Sequence, residues 1–545
     1  MSKLRTIPIP LPMRGLNTVD VFRDPSEGWA RELTNYSILN GRIYMRPAVR
    51  VHAFRNGLSL SRQTLWFDVS SVSGNQDIVA EDGNWYRLTT GVGTGLAGVS
   101  TPNSNCTAFK HISLSIFCGV GVPRNTTSPF AAAAITPGTI TAANIICGCS
   151  HRGRLYYCDG SKLDFSNVGA TAGANPGANN YDLTPYMDGQ TAIRIFSVTA
   201  APNVNTENML VVFGNRGKVL IYSGTDPGSP TWALIANYSM PTPVSNVGFV
   251  EIDGDIWVST KRYAYWFRDL FQGGAQTAWE NSPSRPIENI WQGGNWASTT
   301  TLAEVSHSFY EPTLDAVITQ TSDATTNFEW NKLASYQNEG ACYVYFRKTK
   351  GWAFWMTTPF FWPVQSDGGT PETIYGAAYR AQITKLQHDY QLDEYNSDNT
   401  TTNTIKICTS WKTPYFNPFD GNIQVVQGLR AFYENTWNNS LFKVRAIYDM
   451  SDYNAPLGFY TQPTASSDIP PGLYFESTKS GQSGPGSYHG YDNSWSQYNY
   501  NLGLGGQGGG VSFQISQTVE SNSGSSSRQS IYGVTAYVGD GGQEF

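Results

Sequence analysis

Charge is what this chain has least of. Asp, Glu, Lys and Arg make up 14 % of its 545 residues, against about 25 % in an average globular domain. Such a chain would be disordered only if it also lacked apolar residues, and 16 Trp, 31 Tyr and 26 Phe exclude that. An excess of basic charge is missing too. Thirty-six Lys and Arg against 42 Asp and Glu leave a net −6, which excludes a basic nucleic-acid binder that grips phosphates. Long hydrophobic runs are also absent. The opening MSKLRTIPIPLPM is interrupted by prolines and is too weakly apolar for a signal peptide. The stretch from Phe130 to Cys149 breaks at Pro137-Gly138, short of the ~18 unbroken apolar residues of a membrane helix. The expectation is a soluble protein made in a cytoplasm, without membrane insertion of its own. Its length divides into three to four domains at roughly 150 residues each.

Cysteine is scarce and odd in number: Cys106, Cys118, Cys147, Cys149, Cys158, Cys342 and Cys408. They read as reduced, partly buried thiols. Cys147, Cys149, His151 and Cys158 resemble a zinc cluster only on paper. Residues two apart on a strand sit ~6.5–7 Å from each other, too far for tetrahedral sulfur ligands, and no CxxC pair is present. No metal and no cofactor is expected.

Helical signals are few. One helix is expected over Pro25 to Leu39, with Asp24-Pro25-Ser26-Glu27 as a capped start and Asn40-Gly41 as its stop. The rest reads as short strands punctuated by Gly, Asn, Asp and Ser. Hairpin turns are expected at Asp82-Gly83, Arg152-Gly153, Asn215-Arg216-Gly217, Asp253-Gly254 and Lys350-Gly351, with one more alternating strand around Ile112 to Ile116. These make about six hairpin units between residues 60 and 360, irregularly spaced. A propeller with unequal insertions has this spacing, and so do two stacked sandwiches. The fold class is all-β. The domains are an N-terminal arm with one short helix (1–55), a β-propeller-like domain with insertions (56–393) and a C-terminal β-sandwich (394–545). Glu394 to Asn403 is polar and reads as a linker. Gly481 to Gly510 is rich in Gly, Ser, Tyr and Asn and reads as a surface arm.

There is no GxxxxGK(S/T), HExxH or GxSxG pattern, and no GxGxxG at a strand–helix junction. Six histidines (His52, His111, His151, His307, His388, His489) lie scattered without ligand spacing. Glu251, Asp253 and Asp255 form the best carboxylate cluster, but Asp253 is already explained by a turn, and a glycosidase needs two carboxylates across a sugar. Arg347, Lys348 and Lys350 form the densest basic run and read as a solvated hairpin tip. Trp257, Trp266, Trp352 and Trp355 could stack on sugars, yet their alternation within strands suits a core equally well. No catalytic residues are assigned.

The first fifty residues carry a pattern: Gly15-Leu16-Asn17-Thr18-Val19-Asp20, a segment ending near Asn35, then Asn40-Gly41-Arg42-Ile43, Arg46-Pro47 and His52-Ala53. It resembles the opening of tail nozzle (tail tube) proteins of short-tailed bacteriophages. Its positions Gly15, Leu16, Asn17, Asp20, Asn35, Gly41, Arg46 and Pro47 match the family pattern, and Ala48 departs from it where the family usually has Gly. The C-terminal TSW, SFQIS and IYGVTAYV strands are similar in layout. The resemblance implies a structural virion protein, assembled in the host cytoplasm. It implies a homohexameric ring below the portal and head-to-tail adaptor, contacts with tail fibres or tailspikes, and double-stranded DNA passing through without tight binding. A charge-poor, aromatic-rich composition suits extensive subunit interfaces. Two other classes stand beside it: a receptor- or glycan-binding tail component using surface aromatics, and a propeller glycosidase or lyase with a carboxylate-lined axial pocket.

Overall fold

A computed structural model describes residues 4–19, 27–54, 64–69, 76–80, 85–89, 92–96, 107–112, 114–118, 124–127, 131–134, 138–170, 179–199, 208–225, 227–294, 296, 306–321, 340–357, 361–365, 374–378, 382–388, 392–396, 402–407, 409–415, 417, 422–434, 440–448, 487–489, 496–501, 511–519 and 530–543. Its architecture is all-β and propeller-like, a series of small antiparallel sheets.

Seven such sheets, here called blades, follow one another. The first comprises Thr64–Val69, Gln76–Ala80, Trp85–Thr89 and Val92–Leu96. The second runs from Thr107–His111 through Ala131–Ala134, the third from Cys147–His151 through Asn180–Asp182, and the fourth from Ala192–Thr199 through Ala233–Ser239, each with four strands. The fifth has three, Phe249–Ile252, Asp255–Ser259 and Ala264–Trp266. The helix Phe267–Glu280 follows where a fourth strand would be. The sixth has His307–Glu311, Ala316–Gln320, Gly340–Phe346 and Gly351–Thr357. The seventh has Phe361–Gln365, Ile374–Ala378 and Gln382–Gln387, and its fourth strand is Ala48–Phe54, from the beginning of the chain. First strands of consecutive blades pack together from the second to the fourth and from the fifth to the seventh. The seventh in turn packs on the first.

Two larger sheets reach beyond this series. In one, Asn422–Glu434 and Ser530–Gln543 form the centre, extended by Leu4–Ile9, Arg42–Met45 and Tyr36–Leu39 on one side and by Ser496–Asn501 and Ser487–His489 on the other. In the other, the sixth blade continues through Glu32–Thr34 into Ser410–Lys412, Val511–Val519 and Ser440–Tyr448. The described strands among the first 54 residues belong to three different sheets.

The expected helix over 25–39 is corrected for its described part. Trp29–Ala30, Glu32–Thr34 and Tyr36–Leu39 are strands. Their backbone groups bond to distant segments: Arg31 N–H donates to the Lys412 carbonyl and Asn35 N–H to that of Phe354. Such partners outweigh a weak local helix preference. Asn40-Gly41 is no helix stop but the two-residue turn between Tyr36–Leu39 and Arg42–Met45, with φ of 51° and 75°. Positive φ at both positions is what a mirror-image turn requires. Residues 394–403, read as a linker, contribute to the paired strands Leu392–Asn396 and Thr402–Lys406. Within 481–510, Ser487–His489 and Ser496–Asn501 are strands of a sheet, not a free excursion.

The largest core gathers at the fifth and sixth blades and the N-terminal strands, around Trp257, Trp291, Trp352, Trp355 and Trp411, all fully buried. An aromatic ring that removes about 200 Å² from water contributes roughly 5 kcal/mol, so this cluster dominates local stability. No helix among the described residues is long and apolar enough to cross a membrane.

Candidate functional site

The hairpin turns position the polar residues. Arg152-Gly153 and Asp253-Gly254 are two-residue turns with positive φ at both positions (48° and 74°; 51° and 77°). Gly217 has φ 97°, and a Cβ there would lie 1.9 Å from the Met240 carbonyl oxygen. At Lys350-Gly351 the positive φ falls on Lys350 (55°), while Gly351 opens the next strand. Gly83 lies outside the described residues.

The acidic cluster and the basic run, separate in sequence, meet in space. Arg347 donates from Nη2 to Asp253 Oδ2 at 2.7 Å and from Nη1 to Asp315 Oδ1 at 2.9 Å, joining the fifth and sixth blades. Its guanidinium lies 5.8 Å from the Trp266 ring and 5.6 Å from that of Tyr310. Burial works against its charge, but the two carboxylates outweigh it and push its pKa up. Asp255 accepts from the Arg268 backbone N–H at 3.0 Å and so caps the helix Phe267–Glu280. Burial raises its carboxyl, with these hydrogen bonds opposing. Lys348 and Lys350 remain exposed at the tip.

Glu251 goes elsewhere. It sits on the first strand of the fifth blade, near Arg194 of the fourth, which also influences Cys149 of the third and His307 of the sixth. Desolvation raises Glu251, and Arg194 opposes it. Burial holds His307 down at about 3, and Arg194 adds to that. Arg194 thus acts electrostatically on one titratable group from each of three other first strands. Sequence spacing hides this group, since its members lie one per blade.

His111 and His151 repeat one arrangement. His111 Nδ1 is 2.8 Å from Ser150 Oγ and Nε2 is 3.1 Å from the Ala170 carbonyl. His151 Nδ1 is 2.8 Å from Ser197 Oγ and Nε2 is 3.2 Å from the Gly224 carbonyl. A carbonyl only accepts, so Nε2 carries the proton in each ring and Nδ1 accepts from the serine. Each histidine ends the first strand of its blade and latches it to the next. A third latch joins the sixth blade to the end of the seventh, His388 Nε2 to Glu311 Oε1 at 2.7 Å. Of the cysteines, Cys147 stands directly opposite Cys158, and the hydrogen bond between their thiols with burial pushes Cys158 well up. His151 is engaged in its latch, so the four-residue cluster does not converge on one point. No group of three or more metal-ligating side chains forms among the described residues.

Gly15, Asn35, Arg46 and Pro47 meet at one joint, while Gly41 sits apart in the turn after Tyr36–Leu39. Gly15 (φ 77°) pairs with Trp352, and a Cβ on Gly15 would lie 2.2 Å from the Trp352 nitrogen. A Cβ on Gly351 would lie 2.9 Å from Arg14, so two glycines permit one backbone-to-backbone approach. Leu16 is buried in the main core, and Asn17 Oδ1 accepts from Val19 N–H at 3.1 Å. Asn35 (φ 56°) accepts at Oδ1 from Met356 N–H at 2.8 Å and from Arg46 Nε at 3.0 Å. Arg46 Nη1 also donates to the Pro47 carbonyl at 2.9 Å. Ala48, fully buried, begins the strand that closes the seventh blade. Asp20 lies outside the described residues. The four tryptophans also have structural surroundings. Trp257 stacks on Tyr345 at 5.2 Å with Trp266 edge-on, Trp352 packs beside both, and Trp355 Nε1 donates to the Tyr36 carbonyl at 2.8 Å.

No protein-family model and no curated protein matches this chain. Among solved structures, it is similar to BBS1N, from a crystal with ARL6DN, at 12 % identity and TM-score 0.36, over 63 % of this chain and 97 % of that one. A catalytically inactive virginiamycin B lyase from Staphylococcus aureus, with Quinupristin, matches at 12 % identity and TM-score 0.37, over 62 % and 98 %. The WD40 β-propeller domain of Doa1 matches at 10 % identity and TM-score 0.37, over 63 % and 97 %. Likenesses this distant carry no functional argument.

Proposed function

We propose that this chain is a structural virion protein, the tail nozzle of a short-tailed bacteriophage. In this reading it forms a homohexameric ring below the portal and adaptor, through which double-stranded DNA is retained and then ejected. The observation that carries the reading is the joint just described. The residues that match the nozzle pattern (Gly15, Asn35, Arg46, Pro47) tie the N-terminal strands to the last strand of the sixth blade, so the pattern has a mechanical cause in this chain. The reading is non-enzymatic: Asp253 and Asp255, the best carboxylates in the sequence, are held in an inter-blade ion pair and a helix cap. Its localisation is the phage tail, and its partners are further copies of itself, the adaptor, and tail fibres or tailspikes.

A conduit must let DNA pass without holding it. Phosphate contacts from Lys and Arg dominate DNA affinity, and six copies of a chain at −6 carry −36, a field that repels phosphate. Two measurements test the proposal on the full chain. Light scattering should give about 360 kDa for six copies of 59.9 kDa, with a ring in images of the particle. A titration with duplex DNA at ~50 and ~150 mM salt should show no tight binding. A trimeric rod, or sub-micromolar DNA affinity with a steep salt slope, would overturn it.

A further inference from the structure

We propose that Cys147 and Cys158 are a modification site: under oxidation they form a reversible disulfide across the first hairpin of the third blade. The proposal goes beyond the conduit reading and is independent of it, since it needs only this chain and an oxidant. The two cysteines stand directly opposite each other where Cys147–His151 pairs with Arg154–Cys158. Directly opposite residues of an antiparallel pair have Cα atoms about 4.5–5.5 Å apart, with both side chains on one face. A disulfide spans Cα atoms about 4.4–6.8 Å apart, so the bond fits this register without moving either strand. Both thiols are free and fully buried in one cluster. The Gly160 N–H donates to Cys158 Sγ at 3.3 Å, and the two thiols hydrogen-bond to each other.

Register also singles out this pair. Cys149 lies two residues along the same strand, about 6.5–7 Å from Cys147, and stands opposite Tyr156. Its diagonal to Cys158 is about 7–8 Å, beyond the reach of a disulfide. Cys118 and Cys342 are buried in other clusters. The turn Arg152-Gly153, with positive φ at both positions, holds the two strands in the pairing that sets Cys147 against Cys158.

The step is thiol–disulfide exchange with a low-molecular-weight disulfide. One cysteine thiolate attacks the reagent, forming a mixed disulfide and releasing one reduced thiol. The other thiolate attacks the protein sulfur of that mixed disulfide and releases the second. One S–S bond breaks in the reagent and one forms in the protein, and the two protons and two electrons of the cysteines end on the two released thiols. The paired thiol and burial push Cys158 well up, so thiolate is scarce in the closed blade. Oxidation therefore proceeds from a locally opened hairpin, and a reducing compartment keeps the pair as thiols.

The test uses the full-length protein, prepared reduced and incubated near about pH 8 with excess oxidised glutathione. Incubation continues until hydrogen exchange shows that peptides covering 147–158 have opened. Remaining thiols are then alkylated in denaturant, and tryptic peptides are mapped by mass spectrometry. Cleavage after Arg152 and Arg154 separates the two cysteines, so the bridge shows as a linked peptide pair that reductant splits. Most chains should carry a bridge between Cys147 and Cys158, with Cys149 alkylated, and Cys149→Ala should keep that bridge. In the bridged protein 147–158 should exchange about tenfold more slowly or better, because the bond restricts the opened hairpin. If both thiols stay free, or carry glutathione without bridging, once the hairpin has opened, the proposal is overturned. A bridge to Cys149 instead, or faster exchange in the bridged protein, overturns it as well.

Discussion

Lowering the pH should loosen the seam between the third and fourth blades, and His151 sets the size of the effect. Its ring is fully buried, accepts from Ser197 and donates to the Gly224 carbonyl. Burial holds its pKa down at about 4, with Arg152 acting in the same direction. A folded value below the ordinary 6.5 means that the latch contributes fully above about pH 6.5. Its contribution is lost as pH falls toward 4, because the unfolded chain takes up the proton first. At pH 5 the difference amounts to about 2 kcal/mol, some thirtyfold in the opening equilibrium. Hydrogen exchange read by mass spectrometry on peptides covering 147–158 and 192–199, corrected for intrinsic exchange rates, reports that equilibrium locally. Protection should fall between pH 7 and pH 5 in wild type. His151→Gln should be less protected at pH 7 and show a flatter dependence, since glutamine bonds without titrating. Parallel pH curves for the two proteins would refute the assignment of the latch.

Two contrasts follow from geometry elsewhere. Gly217 and Gly254 both have positive φ, but only Gly217 faces a backbone oxygen at 1.9 Å, while the nearest atom to a Gly254 Cβ is 3.9 Å away. Gly254→Ala should therefore cost about 1–2 kcal/mol from φ alone, and Gly217→Ala clearly more, read as thermal melting shifts. Arg347→Met should cost about 1 kcal/mol, because Asp253 and Asp315 remain solvated without it. Lys412→Met should cost about 3–5 kcal/mol, because it leaves the carboxylate of Glu32, 2 % exposed, unpaired. Equal losses in urea unfolding would contradict that ordering.

The short-range signals in the sequence were legible and the long-range ones were not. Asx-Gly dipeptides mark turns at Asp253-Gly254 and Asn40-Gly41, but the second is ambiguous, because the same pair can end a helix or close a hairpin. What decides it is that residues 31–35 find partners more than 300 residues away, at Phe354 and Ser410–Lys412, which no local window contains. The seventh blade was missed for the same reason, since its closing strand Ala48–Phe54 precedes the rest of it by the whole propeller-like series. The helix Phe267–Glu280 was missed because Gly273-Gly274 interrupts its pattern and its cap comes from Asp255, not from a neighbouring residue. The Arg347–Asp253 pair was visible as two clusters of opposite sign, whose meeting only the packing of two blades could reveal.

That dependence of early residues on late ones sets an order for folding, and the order can be tested by truncation. Leu4–Ile9 and Arg42–Met45 pair with Ser530–Gln543, Glu32–Thr34 with Ser410–Lys412, and Ala48–Phe54 with Gln382–Gln387. A chain ending at residue 393 keeps the partner of Ala48–Phe54 but loses the others. Its blades should therefore close and keep the contacts of Gly15 and Asn35 with the sixth blade, while Leu4–Ile9, left without Ser530–Gln543, becomes accessible to protease. A chain covering only 56–393 lacks the closing strand and leaves Gln382–Gln387 as an unpaired edge, a ready template for aggregation. It should express mainly as insoluble material, although it is shorter by only the N-terminal segment. Limited proteolysis with mass spectrometry, alongside soluble yield, reads both outcomes. If 56–393 is as soluble and as resistant as 1–393, Ala48–Phe54 is not what closes the series. Pairings of such long range also make folding slow, because loop closure must come before the contacts that reward it. Refolding of the full chain should accordingly lag behind that of 1–393, whose longest obligatory pairing spans the blades alone.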